Sequence, residues 1–500
     1  MRSIEIDYNG VKGAHNKYAS YCVGAGRAAE ALRMDFQNHL ETAAKECGFR
    51  YLRFHGIFHD DMGVYTVDRE GRETYNWQYV DLVYDAILDR GVKPFVEISF
   101  MPADLASGDK TVFWWKANVT PPKDYDRWYA LVNHFVLHLE ERYGREEVAT
   151  WYFEVWNEPN HPAFYSSTME EYFKMYAITC SAIKAVSDSY RVGGPATAGN
   201  AWVSELIEYC RSNQVPLGFV STHMYGVRGD FDEYGDAVLY LIEDPDYVIN
   251  AVREVYRAVK ASSMPDLEIH YTEWSSSFSS RDPVHDSYIQ APYILYNLKR
   301  MEGLVHSLSY WTFTDVFEEV GPPPSPFHGG FGLMNLQGLK KPAFFAYHFL
   351  AGLGGTELEN KDSDSWVCKN EEGIQALVWN YTKQQQDVNN QVYFKRDLVS
   401  EKRVPAVLKI TGLPEGKYCF RVYSTGYSRN DVYTDYLKMG APDTLKRPEV
   451  RRLAEDNQGL PAAAGEAGVS SGEAFSLELD MRENDVVFVK IETQVSISEL

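Results

Sequence analysis

The sequence is poor in several features that mark particular classes of protein. Its six cysteines are widely spaced, with no Cys-x-x-Cys pair and no metal-binding spacing, which argues against a disulfide framework or a zinc site. No stretch approaches the ~18 consecutive apolar residues of a membrane-spanning helix. Residues 1–7 carry acidic side chains where a secretory signal would have an apolar core. We therefore expect reduced, buried thiols and a cytoplasmic protein, unless a leader preceded residue 1.

Positive charge is also scarce. The 49 lysines and arginines face 71 aspartates and glutamates, which gives a net charge of −22. Nucleic acids and anionic membranes are bound by concentrated positive surfaces, so we expect neither as a partner. Aromatic residues, in contrast, make up 14% of the chain. Their flat apolar faces suit core packing and equally the stacking of sugar rings, so a neutral ligand fits this composition.

The middle of the chain contains a strand-like run that ends in a glutamate. Residues 151–156 are largely aromatic or β-branched, a pattern typical of a parallel strand that is buried on both faces. Asn157, Glu158 and Pro159 follow directly, and the proline excludes an immediate helix. The sequence therefore predicts that the Glu158 carboxyl lies at the C-terminal end of a buried strand, where barrel enzymes keep their reactive groups.

Strand-like and helix-like segments alternate along the first two thirds of the chain. The eight predicted strands are residues 21–24, 49–54, 93–98, 151–156, 191–195, 219–225, 267–274 and 307–313. This alternation predicts the α/β class and a (β/α)8 TIM barrel. An open, doubly wound sheet would also alternate, but it would carry a glycine-rich phosphate loop after its first strand. Gly24-Ala25-Gly26 is too short for that loop, and no P-loop pattern occurs.

The character of the sequence changes after about residue 321. Pro322-Pro323-Pro324 interrupts regular structure, and short strand-like runs separated by turn signals follow from residue 366, a spacing that predicts a C-terminal β-sandwich domain. The predicted domains are an N-terminal strand at 1–13 that joins the sandwich, the barrel at 14–325, and the sandwich at 326–500 with a connecting helix. Residues 462–474, rich in Ala, Gly and Ser, are predicted to form a mobile surface loop.

Two glutamates follow predicted strands of the same barrel. Glu158 follows strand four and Glu273 follows strand seven. Hydrolysis of a glycosidic bond needs one carboxyl group to protonate the leaving oxygen and a second to attack the anomeric carbon or to activate water. Either glutamate alone could be a surface or salt-bridge residue. The combination of Asn-Glu-Pro after strand four with Thr-Glu-Trp after strand seven is more specific and indicates a glycosidase.

The barrel resembles the β-xylosidases of glycoside hydrolase family 39, within the clan of retaining (β/α)8 glycosidases. The matching segments are 21–27, 49–56, 100–102, 105–109, 118–125, 153–160, 309–319 and 327–333. They cover nearly the whole barrel, whereas the C-terminal part matches in layout only. The resemblance implies a retaining mechanism in which Glu158 is the general acid/base and Glu273 is the nucleophile.

The same resemblance implies a set of substrate-binding residues around the sugar. Asn157 would hydrogen-bond the 2-hydroxyl, and the other implied contacts are His55, His223 and Tyr225 as hydrogen-bond donors, Trp311 as a platform, and Phe317 with Glu318 against the outer hydroxyls. Glu319 competes with Glu318 for its role, and we choose Glu318. Trp114 and Phe164 are candidates for the leaving-group side, with core packing as the alternative. No cofactor or metal is expected, because Gly56 follows His55 where a zincin helix would carry Glu.

The expected function is exo-hydrolysis, which releases xylose from the non-reducing end of β-xylosides or xylo-oligosaccharides. α-L-Arabinosidase and α-L-iduronidase remain alternatives, as does a non-catalytic glycan-binding protein. A uronate needs a cationic partner, and only Arg53 stands near a strand end, where it could equally be paired structurally. The chain departs from the family pattern at Ser275–Ser277 and in the proline-rich segment 320–326. Homo-oligomerisation is left open.

Overall fold

Eight parallel strands close into a barrel in the computed structural model, which describes residues 2–232 and 234–493. Each strand pairs with its neighbours in chain order, and the closed sheet confirms the predicted fold class. The barrel strands, called strands one to eight below, are Cys22–Arg27, Tyr51–His55, Lys93–Ile98, Tyr152–Val155, Arg191–Ala198, Phe219–Tyr225, Glu268–Ser275 and Ser307–Tyr310.

A helix follows each barrel strand and packs on the outside. The eight helices are Met34–Cys47, Gln78–Leu88, Tyr125–Tyr143, Met169–Lys184, Val203–Ser212, Tyr247–Ala261, Gln290–Met301 and Pro342–Ala351. The last of them packs against both the first and the seventh, so it completes the helical ring. The barrel therefore extends through Ala351 and does not end at residue 325 as predicted. The triple proline lies in the long loop between strand eight and its helix, and the helix predicted as a connector is part of the barrel.

The helices form where apolar side chains recur at helical spacing. In Tyr125–Tyr143 the buried face is built from Trp128, Leu131, Val132 and Phe135, among others. The Asp124 side chain caps the helix by accepting hydrogen bonds from two backbone N–H groups of the first turn. Gly144, with a φ of 86°, ends it. The apolar face packs the helix against the outside of the barrel, so the C-terminal ends of the strands remain available for the site.

Two further sheets form the C-terminal part, and the N-terminus joins both. The three-stranded sheet contains Arg2–Asp7, Ala406–Thr411 and Phe475–Leu479. The seven-stranded sheet has the order Val11–Ala14, Thr356–Leu358, Ser365–Lys369, Gly373–Trp379, Val486–Thr493, Gly416–Thr425 and Ala463–Val469. Apolar side chains of both sheets, such as Ile4 and Val489, form one core between them, which is the layered packing of a sandwich.

Several features of the C-terminal part differ from the prediction or were not predicted. Ala463–Val469 pairs along its length with Gly416–Thr425, so the predicted mobile loop at 462–474 is wrong. The helices Asn390–Tyr393, Val432–Lys438 and Arg447–Asp456 were not foreseen. All six cysteines are free thiols. Among the described residues, no helix has the length and apolarity needed to cross a membrane.

The C-terminal part also supports the loop that follows strand seven. The amide nitrogen of Asn390 donates a 2.7 Å hydrogen bond to the buried Asp282 carboxyl, and Tyr393 belongs to an apolar cluster with Val284 and Val227. Val227 and Phe278 line the same cavity as Glu158 and Glu273. The C-terminal part therefore braces one wall of the candidate site.

Candidate active site

Glu158 and Glu273 meet at the C-terminal ends of strands four and seven. One oxygen of each carboxyl group and one His223 nitrogen all lie within 4.8 Å of one another. Inverting glycosidases need about 6.5–9.5 Å between their two carboxyl groups, whereas retaining enzymes need about 5–5.5 Å. The short separation matches the retaining arrangement, in which no water fits between the sugar and the second carboxylate.

The backbone that presents Glu158 is strained. Trp156 and Glu158 have φ values of 70° and 45°, in the left-handed region that non-glycine residues rarely adopt. Such conformations cost about 1–3 kcal/mol each and persist only where the surroundings enforce them. Here the Glu158 N–H donates a 2.8 Å hydrogen bond to the Ala196 carbonyl of strand five, which fixes the turn. This strained backbone conformation helps to direct the Glu158 carboxyl group into the mouth of the barrel.

An irregularity in strand seven brings two consecutive side chains into the barrel interior. In a regular strand, neighbouring side chains point to opposite faces. The register of strand seven shifts against strand six between Thr222 and His223, and against strand eight between Tyr271 and Trp274. A bulge of this kind re-aims side chains next to it. Thr272 and Glu273 consequently both reach interior groups.

Arg53 of strand two ties the site together. Its guanidinium is fully buried and lies 2.7 Å from Glu97, 2.8 Å from Glu154 and 2.5 Å from Glu273. It also donates to the side-chain oxygen of Asn157 at 2.9 Å. Planar arginine donors satisfy several carboxylates at once, so one cation holds three acids in fixed positions.

Glu158 has a different environment from Glu273. Burial raises the pKa of Glu158 to about 7, and burial likewise lowers the pKa of His223 to about 4. The His223 ring is therefore neutral where Glu158 is protonated, and its Nδ1 lies 2.8 Å from Glu158 Oε1. Glu273 instead accepts from Arg53 and, at 2.6 Å, from the Tyr225 hydroxyl. One carboxyl group is thus buried beside a neutral ring and the other is paired with a cation, a difference in environment of the kind that glycosidases need.

The two glutamates line a cavity of about 340 Å³. Most of the residues predicted for substrate binding line it with them, namely His55, Asn157, Tyr225 and Trp311. His223 lies behind Glu158 and is fully buried. Phe164 also lines the cavity, whereas Trp114 is 57% exposed, lies next to Gly321 and is not among the lining residues.

Comparison with known proteins agrees with this geometry. The model of glycosyl hydrolases family 39 matches residues 2–472. This chain belongs to that family. Among curated relatives, the β-xylosidase of Geobacillus stearothermophilus is 40% identical over 424 residues, covering 80% of this chain and 84% of the relative. That of Caldicellulosiruptor saccharolyticus is 37% identical, covering 98% of each. The crystal structure of a monomeric β-xylosidase from Caulobacter crescentus CB15 is 41% identical with a TM-score of 0.96, covering 99% of this chain and 100% of that one.

Two residues predicted for the substrate pocket of this family 39 glycoside hydrolase lie elsewhere. Glu318, chosen over Glu319 from the sequence, pairs with Arg27 at 3.3 Å and Arg33 at 2.9 Å and is not among the residues that line the cavity. Phe317 packs edge-on against Trp311 with ring centroids 6.0 Å apart, and it supports that platform from behind. The pocket wall at this position is Glu319.

Glu319 is suited to bind a sugar hydroxyl. Burial, reinforced by the charges of Glu273 and Glu158, raises the pKa of Glu319 well above its usual value. A protonated carboxyl group can donate as well as accept a hydrogen bond. Its Oε1 lies 3.8 Å from His55 Nε2, and its backbone carbonyl accepts a 2.7 Å hydrogen bond from the Trp114 N–H. The loop that carries it is therefore held over the cavity.

Three buried polar residues that support the catalytic pair were not predicted from the sequence. Glu97, Glu154 and Thr272 are each almost fully buried in barrel strands. Acids inside otherwise apolar strands are rarely buried without a partner, so Glu97 and Glu154 carried a signal in the sequence. Arg53 is two residues before His55 and therefore shares its inward face, which the period of a strand predicts. Thr272 carried no comparable signal.

Proposed function

We propose that this family 39 hydrolase is a retaining exo-β-xylosidase that releases xylose from the non-reducing end of β-xylosides and xylo-oligosaccharides. The observation that carries the proposal is the pair of carboxyl groups with oxygens within 4.8 Å, one buried beside a neutral histidine and the other paired with Arg53. The curated relatives named above, both described as β-xylosidases, support the choice of sugar.

The geometry supports a double displacement. In the first step a Glu273 oxygen bonds to the anomeric carbon while the bond to the leaving oxygen breaks, and the Glu158 proton moves to that oxygen. In the second step Glu158, now a carboxylate, takes a proton from water as the water oxygen attacks the anomeric carbon. The bond to Glu273 then breaks, and Glu158 is protonated again. The sugar keeps its anomeric configuration because each step inverts it once.

The side-chain NH2 group of Asn157 is placed to donate a hydrogen bond to the sugar. Its side-chain oxygen accepts from Arg53, so the amide is oriented with its NH2 group as the donor toward the cavity. A donor next to the catalytic pair suits the 2-hydroxyl, whose hydrogen bonds strengthen in the transition state. The Arg53 contact therefore orients both the nucleophile and the group that binds the neighbouring hydroxyl.

The lining of the cavity supports a neutral pentose over a uronate. None of the described residues that line it is a lysine or arginine. Arg53, the nearest buried cation, is taken by Glu97, Glu154 and Glu273. A uronate carboxylate would add a negative charge beside Glu273 without a cationic partner, which is costly in a buried site.

Parallel assays with nitrophenyl β-xyloside, α-arabinopyranoside and α-iduronide test the substrate. The xyloside should give the highest kcat/KM, and NMR of the first product should show the β-anomer. A 2-fluoro-xyloside should inactivate the enzyme by labelling Glu273, which mass spectrometry of peptides detects. Absence of xyloside turnover, an α-anomer, or a label on another residue would refute the proposal.

A further inference from the structure

A chain of hydrogen bonds leads from Glu158 through His223 into the barrel. Glu158 Oε1 lies 2.8 Å from His223 Nδ1, and His223 Nε2 lies 3.2 Å from the Thr272 hydroxyl oxygen. The Thr272 hydroxyl in turn donates a 2.7 Å hydrogen bond to Glu154 Oε1, while Glu154 Oε2 accepts from Arg53 at 2.8 Å. His223, Thr272 and Glu154 are all buried to 1% exposure or less.

The direction of this chain fixes the position of a proton on His223. Glu154 is paired with the Arg53 guanidinium and accepts from the Thr272 hydroxyl, so the single hydroxyl proton of Thr272 is committed to Glu154. The Thr272 oxygen can then only accept from His223, which puts the ring proton on Nε2. A neutral ring with its proton on Nε2 has a bare lone pair on Nδ1, and that lone pair faces Glu158.

We propose that Thr272, oriented by Glu154, is a positioning residue that holds His223 with its proton on Nε2, so that Nδ1 accepts a hydrogen bond from the protonated Glu158 carboxyl group. The inference deepens the proposed function, on which the acid role of Glu158 rests. An acceptor opposite Glu158 stabilises its protonated form and repels its carboxylate form. The arrangement therefore keeps Glu158 protonated before the first step and makes its carboxylate a stronger base in the second step.

The opposite ring form leaves buried groups unpaired. With its proton on Nδ1, His223 would direct the Nε2 lone pair at the Thr272 oxygen. Thr272 could relieve this only by turning its proton to His223, which would leave Glu154 Oε1 without that donor. An unpaired buried acceptor costs about 1–3 kcal/mol, more when charged, so the observed network disfavours this form.

Other charged and titratable groups also face Glu158. His161 lies in the same loop as Glu158, Arg53 and His55 lie in strand two, and Glu97 lies in strand three. Glu273 lies in strand seven, and Glu319 lies in the loop after strand eight. The charge of Glu158 also contributes to the raised pKa of the Tyr225 hydroxyl. None of these groups is changed by removal of the Thr272 hydroxyl, so a Thr272 variant isolates the His223 contribution.

The kinetic test compares the pH dependence of kcat/KM for a nitrophenyl β-xyloside in three variants. Thr272→Val keeps the side-chain shape but removes the hydroxyl, which frees His223 to donate from Nδ1 to ionised Glu158. Its alkaline limb should move to lower pH by about one unit. Thr272→Ser should retain the parental limb. Thr197→Val, which removes another buried strand hydroxyl, one that hydrogen-bonds Thr222 and the Ala201 carbonyl instead of His223, should also retain it. An unmoved limb in Thr272→Val would overturn the proposal.

A second measurement uses the unmodified enzyme and no substrate. NMR of protein with nitrogen-labelled histidine distinguishes the two neutral ring forms and the imidazolium, and His223→Gln identifies the His223 signals among the 13 histidines. The expected result is a neutral ring with its proton on Nε2 below the pKa of Glu158. A proton on Nδ1, a mixture of the two forms, or an imidazolium would overturn the proposal. Because no turnover is needed, this result stands apart from any failure of the proposed xylosidase activity.

Discussion

Replacement of Glu158 by glutamine should stabilise the folded protein, and only above the pH at which a free carboxyl ionises. Burial raises the Glu158 pKa from 4.5 to about 7. Each pKa unit corresponds to about 1.4 kcal/mol, so ionised Glu158 lowers the free energy of unfolding by about 3 kcal/mol once the pH exceeds 7. Glutamine stays neutral at every pH and can still donate to His223 Nδ1. The variant should therefore gain that free energy while it loses general-acid catalysis.

The sign of the effect follows from the two states of the chain. Below about pH 4 Glu158 is protonated in both the folded and unfolded states, so parent and variant should unfold alike. From about pH 4.5 the unfolded chain ionises first, and the difference grows until the folded state ionises near pH 7. For a chain of this length, whose unfolding entropy is about 1 kcal/mol/K, about 3 kcal/mol raises the Tm by roughly 3 °C.

Scanning calorimetry of both proteins at about pH 4 and about pH 8 measures this difference. Glu268→Gln is a control of opposite sign, because a hydrogen bond with His270 lowers the pKa of Glu268 to about 2. Its ionised form stabilises the fold above pH 4.5, and that stability is fully lost only as the pH falls toward 2, so this variant should melt below the parent at both pH values. Equal Tm values for parent and Glu158→Gln at about pH 8, or an equal gain at both pH values, would refute the reasoning.

Three further outcomes can be checked independently. Tyr225→Phe removes a 2.6 Å hydrogen bond to Glu273, worth about 1.5–3 kcal/mol to a charged acceptor, so release of the glycosyl-enzyme should slow about 10- to 100-fold, which burst kinetics would detect. Lys341→Met leaves two fully buried aspartates at 2.6 and 2.7 Å unpaired and should cost about 3–5 kcal/mol in thermal unfolding, whereas Lys340→Met, at a surface ion pair, should cost less than about 1 kcal/mol. Because all six cysteines are free, a thiol reductant should leave the Tm unchanged.

The barrel could be predicted from local patterns because its strands are buried on both faces. Strands three and six begin and end at the predicted residues, Lys93–Ile98 and Phe219–Tyr225. Strand one was predicted to end at residue 24 but runs to Arg27, past two glycines that weaken a strand pattern. A Cβ on Gly24 would come within 2.2 Å of the Trp311 ring, so the glycine is there for a contact that is distant in sequence.

The errors arose where distant contacts outweigh local signals. Ala463–Val469 has the small residues of a loop, yet it forms a strand because Gly416–Thr425 offers it a partner edge. Glu318 and Glu319 are equivalent in sequence, and the choice between them depends on backbone contacts. The buried Glu30 carboxyl accepts from the Glu318 N–H at 2.9 Å, which turns the Glu319 side chain toward the cavity and that of Glu318 toward two arginines.

The division of labour between the two catalytic glutamates follows from the number of buried charges. Among the described residues, Arg53 is the one lysine or arginine in contact with Glu97, Glu154 and Glu273, so these three carboxyl groups share a single permanent cation. A further carboxyl group placed there has no cation left to pair with, and it is least costly when protonated. Glu158 and Glu319 are in that position, and for both of them burial raises the pKa. Glu158 is thus the acid because it lacks contact with Arg53. That contact depends on the order of the strands in the barrel, not on the sequence motif around either glutamate.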